Sequence, residues 1–85
     1  MFEWDVQKAI ANYDKHGISF EEAATAFSDV NGLDGDDIDH SEHEHRRQRI
    51  AKSVAGRILF VAYTMRRTDN EKETIRIIKI GRAHV

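Results

Sequence analysis

Apolar residues recur every three or four positions early in the chain, then gather into short continuous runs. Val6, Ala9, Ile10 and Tyr13 fall at i, i+3, i+4 and i+7, which predicts a helix of about three turns with one apolar face. Asp5 is placed to cap its start, and Gly17 supplies a left-handed stop after His16. Ser19 followed by Glu22 forms a capping box for a second helix, in which Phe20, Ala23, Ala24 and Phe27 keep the same period as far as Asp29. Two helices joined at Gly17-Ile18 are expected to pack as a hairpin. The opening Phe2-Glu3-Trp4 reads as a short strand.

Between Asp29 and Glu44 lie seven carboxylates and no Lys or Arg, which predicts an exposed loop with one weak strand near Ile38. Arg57 to Thr64 reads as a strand covered on both faces, and Thr74 to Ile78 as a β-branched partner across the polar linker Arg66 to Glu73. Arg46 to Ser53 is a further strand with a polar start, Arg47-Gln48-Arg49. The expected fold class is α+β: two N-terminal helices packed on a three- or four-stranded antiparallel sheet.

Composition narrows the setting. With 85 residues the chain makes one small domain, and without cysteine it has neither disulfides nor thiolate metal sites. Its longest apolar run, Ile58 to Tyr63, is far too short to span a bilayer. A cytoplasmic protein without membrane insertion is expected. The net charge of −2 conceals an asymmetry: residues 1–45 carry 2 basic and 12 acidic groups, whereas residues 46–85 carry 11 basic and 3 acidic. Such a basic half can meet phosphate, with Arg46, Arg57, Arg66 and Arg76 able to displace counterions from it. Two solvated faces are the plainer reading of the same charges.

Several motifs have ordinary explanations. Lys15-His16-Gly17 suits any helix C-terminus, where cations answer the dipole and glycine caps. His40, His43 and His45 suggest a metal, yet no fourth ligand follows at a useful spacing. The run from Asp34 to Asp39 fails as a calcium loop, because Asp39 stands where glycine is needed. A helix-turn-helix is disfavoured as well, since the second helix has no cation. No metal and no cofactor are therefore expected.

Taken in order, Phe2-Glu3-Trp4-Asp5, Lys8, Asn12, Lys15-His16-Gly17, Ser19-Phe20-Glu21-Glu22-Ala23, Phe27 and Asp29 resemble the N-terminal half of the BrnT family of type II toxins. Asp39-His40-Ser41-Glu42, Glu44, Arg46, Gly56-Arg57, Tyr63-Thr64 and Ile75-Arg76-Ile77-Ile78 continue that family's order. The resemblance implies a bacterial ribonuclease with a RelE-like fold, a hydrolase acting on an RNA substrate. It also implies inhibition by a BrnA-like antitoxin, a ribbon-helix-helix protein through which alone DNA would be contacted. Catalytic positions implied by the resemblance are Lys15, His16, Glu44, Arg57 and Arg76. His16 and Glu44 would then move protons and the three cations would hold phosphorane charge, with no metal required. Arg46 is either a phosphate anchor or a salt-bridge partner, and Arg66 joins it as an RNA-binding candidate. A remnant that binds antitoxin without cutting RNA is the alternative reading.

The chain departs from the family in two places. Arg47, Gln48, Arg49 and Lys52 stand where an apolar strand is usual, with Ala51 in a glycine position. Lys79 to Val85 replaces the Ser-Ala-Arg and helical ending of the pattern, and its last six residues can be encoded by a common sequencing adapter read in frame. Residues 1–78 are thus expected to be the toxin domain and 79–85 a non-native tail, with Arg82 given no family role. Ile77 and Ile80, taken to share one side of a continued strand, would then form an uncovered apolar patch.

Overall fold

Side-chain caps start both helices. In the computed structural model, which describes residues 1–38, 45–67 and 72–83, α1 spans Val6–His16 and Asp5 accepts the Lys8 N–H at 3.1 Å. It ends at Gly17, whose φ of +69° lets its N–H donate to the Tyr13 carbonyl at 2.7 Å. Helix α2, Phe20–Thr25, starts with the Glu22 N–H donating to Ser19 Oγ at 3.0 Å, and one 3-10 turn over Ala26–Ser28 continues it.

The strands are β1 (Phe2–Glu3), β2 (Leu33–Asp36), β3 (Arg46–Lys52), β4 (Ile58–Arg67) and β5 (Glu73–Arg82). They form one sheet in the order β1-β5-β4-β3-β2. This corrects the expected three- or four-stranded antiparallel sheet: there are five strands, and β1 runs parallel to β5. Strand β2 lies inside the acidic stretch read as a loop. Its Asp34 and Asp36 stand opposite Arg49 and Arg47, so cross-strand charge pairs hold a segment that carries little strand propensity. Ile38 lies outside any strand. Arg66 and Arg67 belong to β4 rather than to a linker.

The buried core joins Ile18, Phe20 and Ala23 to Leu59, Val61, Ile77 and Ile80. The Trp4 ring meets Phe20 edge-on at 5.9 Å, and Phe27 meets Tyr63 likewise at 4.9 Å. Ile77 and Ile80 are 1% and 2% exposed, not a bare patch. Regular alternation would place these two on opposite faces. A register shift between the partners Ala62↔Lys79 and Tyr63↔Ile77 accommodates the extra residue, so both enter the core.

Helix α1 has the expected period but the opposite orientation. Val6, Ile10 and Tyr13 are 65%, 54% and 56% exposed, and no α1 residue is fully buried. Ala9 alone of that stripe packs on the core cluster. The helix lies along the outer edge of β5, where Asn12 Oδ1 accepts the Ile80 N–H at 3.1 Å. Strand β1 pairs with β5 only at Ile75 and Arg76, and Asn12 satisfies part of the edge that β1 leaves open.

Candidate nucleic-acid interface

Leu59, Val61 and Tyr63 face the helices, so the alternate residues of β4 face away from them. Thr64 is one of these. Arg46 of β3 and Arg76 of β5 stand directly opposite it on either side, and Glu3 stands opposite Arg76. The sheet thus carries a row Glu3–Arg76–Thr64–Arg46 on its outer face, with Arg66 two residues along β4 on the same side. Glu3 Oε1 accepts from Arg66 at 3.0 Å and from Arg76 at 3.5 Å. Both ion pairs are partly solvated, so they orient the guanidinium groups more than they stabilise the fold. The buried Thr64 hydroxyl has no hydrogen-bond partner among the described residues.

Lys15 and His16 lie toward the other end of β5. A Cβ built on Gly81 would stand 4.0 Å from His16 Cε1. Gly81 pairs with Phe60, on the outer face, and Lys79 pairs with Ala62 on that face too. Five residue steps at about 3.3 Å separate Arg76 from Gly81, or about 16 Å. His16 and Arg76 therefore lie too far apart to meet at one point of the sheet. Along β5 the outer face runs from Arg66 and Arg76 past Lys79 to His16, a basic track.

Arg57 is apart from this track. Its Nε donates to Glu22 Oε2 at 2.9 Å and its Nη2 to Glu22 Oε1, so both carboxylate oxygens are engaged on the helix side of the sheet. Ser53 Oγ donates to the same Glu22 at 2.7 Å. The Arg57 pairing holds the Glu22 carboxyl below its ordinary range against the opposing effect of burial, with help from Ser53, and the partnership raises Arg57. Glu44 lies outside the described residues, as do His40 and His43. His45 Nε2 is 2.8 Å from Asp36 Oδ1.

A second polar network was not expected from sequence. Arg49 is buried; its Nε donates to the Ala26 carbonyl at 3.1 Å, Nη2 to the Asp29 carbonyl at 2.6 Å and Nη1 to Asp34 at 2.5 Å. Tyr63 donates to Asp34 at 2.6 Å and accepts from Arg47 at 3.3 Å. Burial raises the Tyr63 phenol above its ordinary range, and Asp34 adds to the effect. These residues explain the polar start of β3: Arg47 and Arg49 face the helix side and are consumed there.

The family model for the ribonuclease toxin BrnT of type II toxin-antitoxin systems matches residues 4–85. The chain belongs to the BrnT family. Comparison with curated proteins returns no match. As a BrnT-family member it is a type II ribonuclease toxin at the level of its family, which implies an RNA target and an antitoxin partner. The family match includes β5 to its end. No helix among the described residues is long and apolar enough to cross a membrane. Lys15, His16 and Arg76 carry recognisable sequence signals: Lys15-His16 precede a capping glycine and Arg76 lies in a β-branched strand. Lys79 carries none, because only the register places it on the outer face.

Proposed function

We propose that the chain is a cytoplasmic endoribonuclease that cleaves RNA by acid-base chemistry without a metal. The observation that carries this is the basic track along the outer face of β5, with Arg46 and Arg76 flanking Thr64 at one end and His16 at the other. Arg46, Arg66 and Arg76 hold backbone phosphates; His16 and Glu44 transfer protons between the 2′-hydroxyl and the leaving 5′-oxygen; Lys15 offsets charge on the phosphorane. Arg57, committed to Glu22, contributes by fixing the entry to β4 against α2. The RelE-like fold assignment belongs to the same proposal.

The inhibitor is a BrnA-like ribbon-helix-helix antitoxin, and it contacts DNA on the toxin's behalf. Val6, Ile10 and Tyr13 form an exposed apolar stripe beside Trp4, bordered by Asp14 and Glu21. That combination suits a cationic amphipathic segment of the antitoxin. The stripe also favours the second reading, an antitoxin-binding module without activity. Incubating the purified chain with a defined RNA in EDTA, with and without antitoxin, tests both. Cleavage that antitoxin suppresses is expected; antitoxin binding without cleavage selects the module, and cleavage only with added metal refutes the proposed chemistry.

A further inference from the structure

The polar side of α1 carries more than Lys15 and His16. Lys8, Asn12 and Lys15 lie at i, i+4 and i+7, one helix face. With His16, Ile78 and Lys79 they line an open cavity of about 390 Å³ between α1 and β5. Three ammonium groups and an imidazole surround it, and no carboxylate lines it. Among the described residues Lys8, Lys15 and Lys79 form no ion pair. Like charges gathered in this way repel one another until an anion enters.

Asn12, one of the lining residues, has an unused amide donor. Its Oδ1 is held by the Ile80 N–H, which fixes the amide, and its buried Nδ2 has no hydrogen-bond partner among the described residues. A buried amide donor left unsatisfied costs about 1–3 kcal/mol, and an acceptor oxygen entering the cavity would remove that cost. The cations select an anionic acceptor, and the cavity adjoins the His16 end of the basic track. We infer that the cavity between α1 and β5 binds a phosphoryl oxygen of the RNA backbone through Asn12 Nδ2, Lys8 and Lys79.

This rests on the ribonuclease reading for the identity of the polymer, but binding can be measured without cleavage. The probes are a short 2′-O-methyl RNA, which lacks the 2′ nucleophile, and inorganic phosphate, with the Asn12 side-chain amide followed by NMR. Asn12→Asp keeps the acceptor for Ile80 but replaces the donor, and Lys8→Gln removes one cation without touching the core. Expected is an Asn12 amide shift on adding the oligonucleotide, with affinity lowered at least about tenfold by Asn12→Asp and severalfold by Lys8→Gln. A shift with phosphate as well shows a site that reads the phosphoryl group alone; a shift with the oligonucleotide only shows one that needs the chain. Parent affinity in both variants, or no amide shift with either probe, overturns the inference. Unchanged cleavage in those variants would leave the ribonuclease reading standing. Oligonucleotide binding through Asn12 with no cleavage of the all-ribose RNA would refute that reading and leave the cavity assignment intact.

Discussion

Arg57 and Glu22 form a two-pronged ion pair that ties the start of β4 to α2, with the Glu22 side chain the more buried partner. Ser53 completes the carboxylate's bonding. Glu22→Gln should cost about 2 kcal/mol, typical for charge-assisted hydrogen bonds, and lower the melting temperature by several degrees. A double-mutant cycle with Arg57→Gln should show that the two losses do not add; additive losses would mean that the pair is not coupled.

Acid should weaken the fold through the same group. The Glu22 carboxyl is held below its ordinary value of 4.5, and that of Asp29 below 3.8 by hydrogen bonds from the Lys52 and Asn31 N–H groups. A depressed folded value contributes stability that is fully present above the unfolded value and is lost as pH falls through the folded one. Denaturant midpoints should therefore decline below about pH 4.5, and Glu22→Gln should flatten the decline. An unchanged slope in that variant would contradict the assignment.

Arg49 clamps the turn after α2 to β2 and β3. Arg49→Met should destabilise by about 3 kcal/mol, because Asp34 and two carbonyls lose their donor. Gly32→Ala should destabilise through the same residue, since a Cβ there would overlap the Arg49 guanidinium. Thermal melts of both single variants and the double variant would test the link: Gly32→Ala should cost less once Arg49 is Met.

On RNA, His16→Ala and Glu44→Gln should each slow cleavage by about two to four orders of magnitude, the range for positioned acid and base groups. Single-turnover rates on one RNA provide the check, with melts to show that the variants fold. Parent rates in both would remove these residues from the chemistry.

Affinity for RNA should fall steeply with salt, and replacing Arg46, Arg66 and Arg76 together by Gln should lower the slope of log K against log salt by about two. A slope unchanged by all three substitutions would exclude the outer face as the RNA surface.

Sequence by itself determined the local structure: Asp5, Gly17 and Ser19 set the helix ends through short-range hydrogen bonds, a near-continuous apolar run marked β4 and a β-branched run marked β5. It also separated an acidic half from a basic one and supplied the family's motifs. Only tertiary structure decided which side of each element meets the core. The apolar stripe of α1 was legible as a helix face, yet it lies exposed, with Ala9 packed on the core and Asn12 bonded to the Ile80 N–H at the edge of β5. Strand β2 was hidden because its partner is Arg47 and Arg49, contacts that strand propensity does not register. The register shift that brings Ile77 and Ile80 into the core, and the pairing that flanks Thr64 with Arg46 and Arg76, depend on residues distant in sequence. Periodicity reports neighbours along one element; the long-range pairing of β3, β4 and β5 determines which cations share a face.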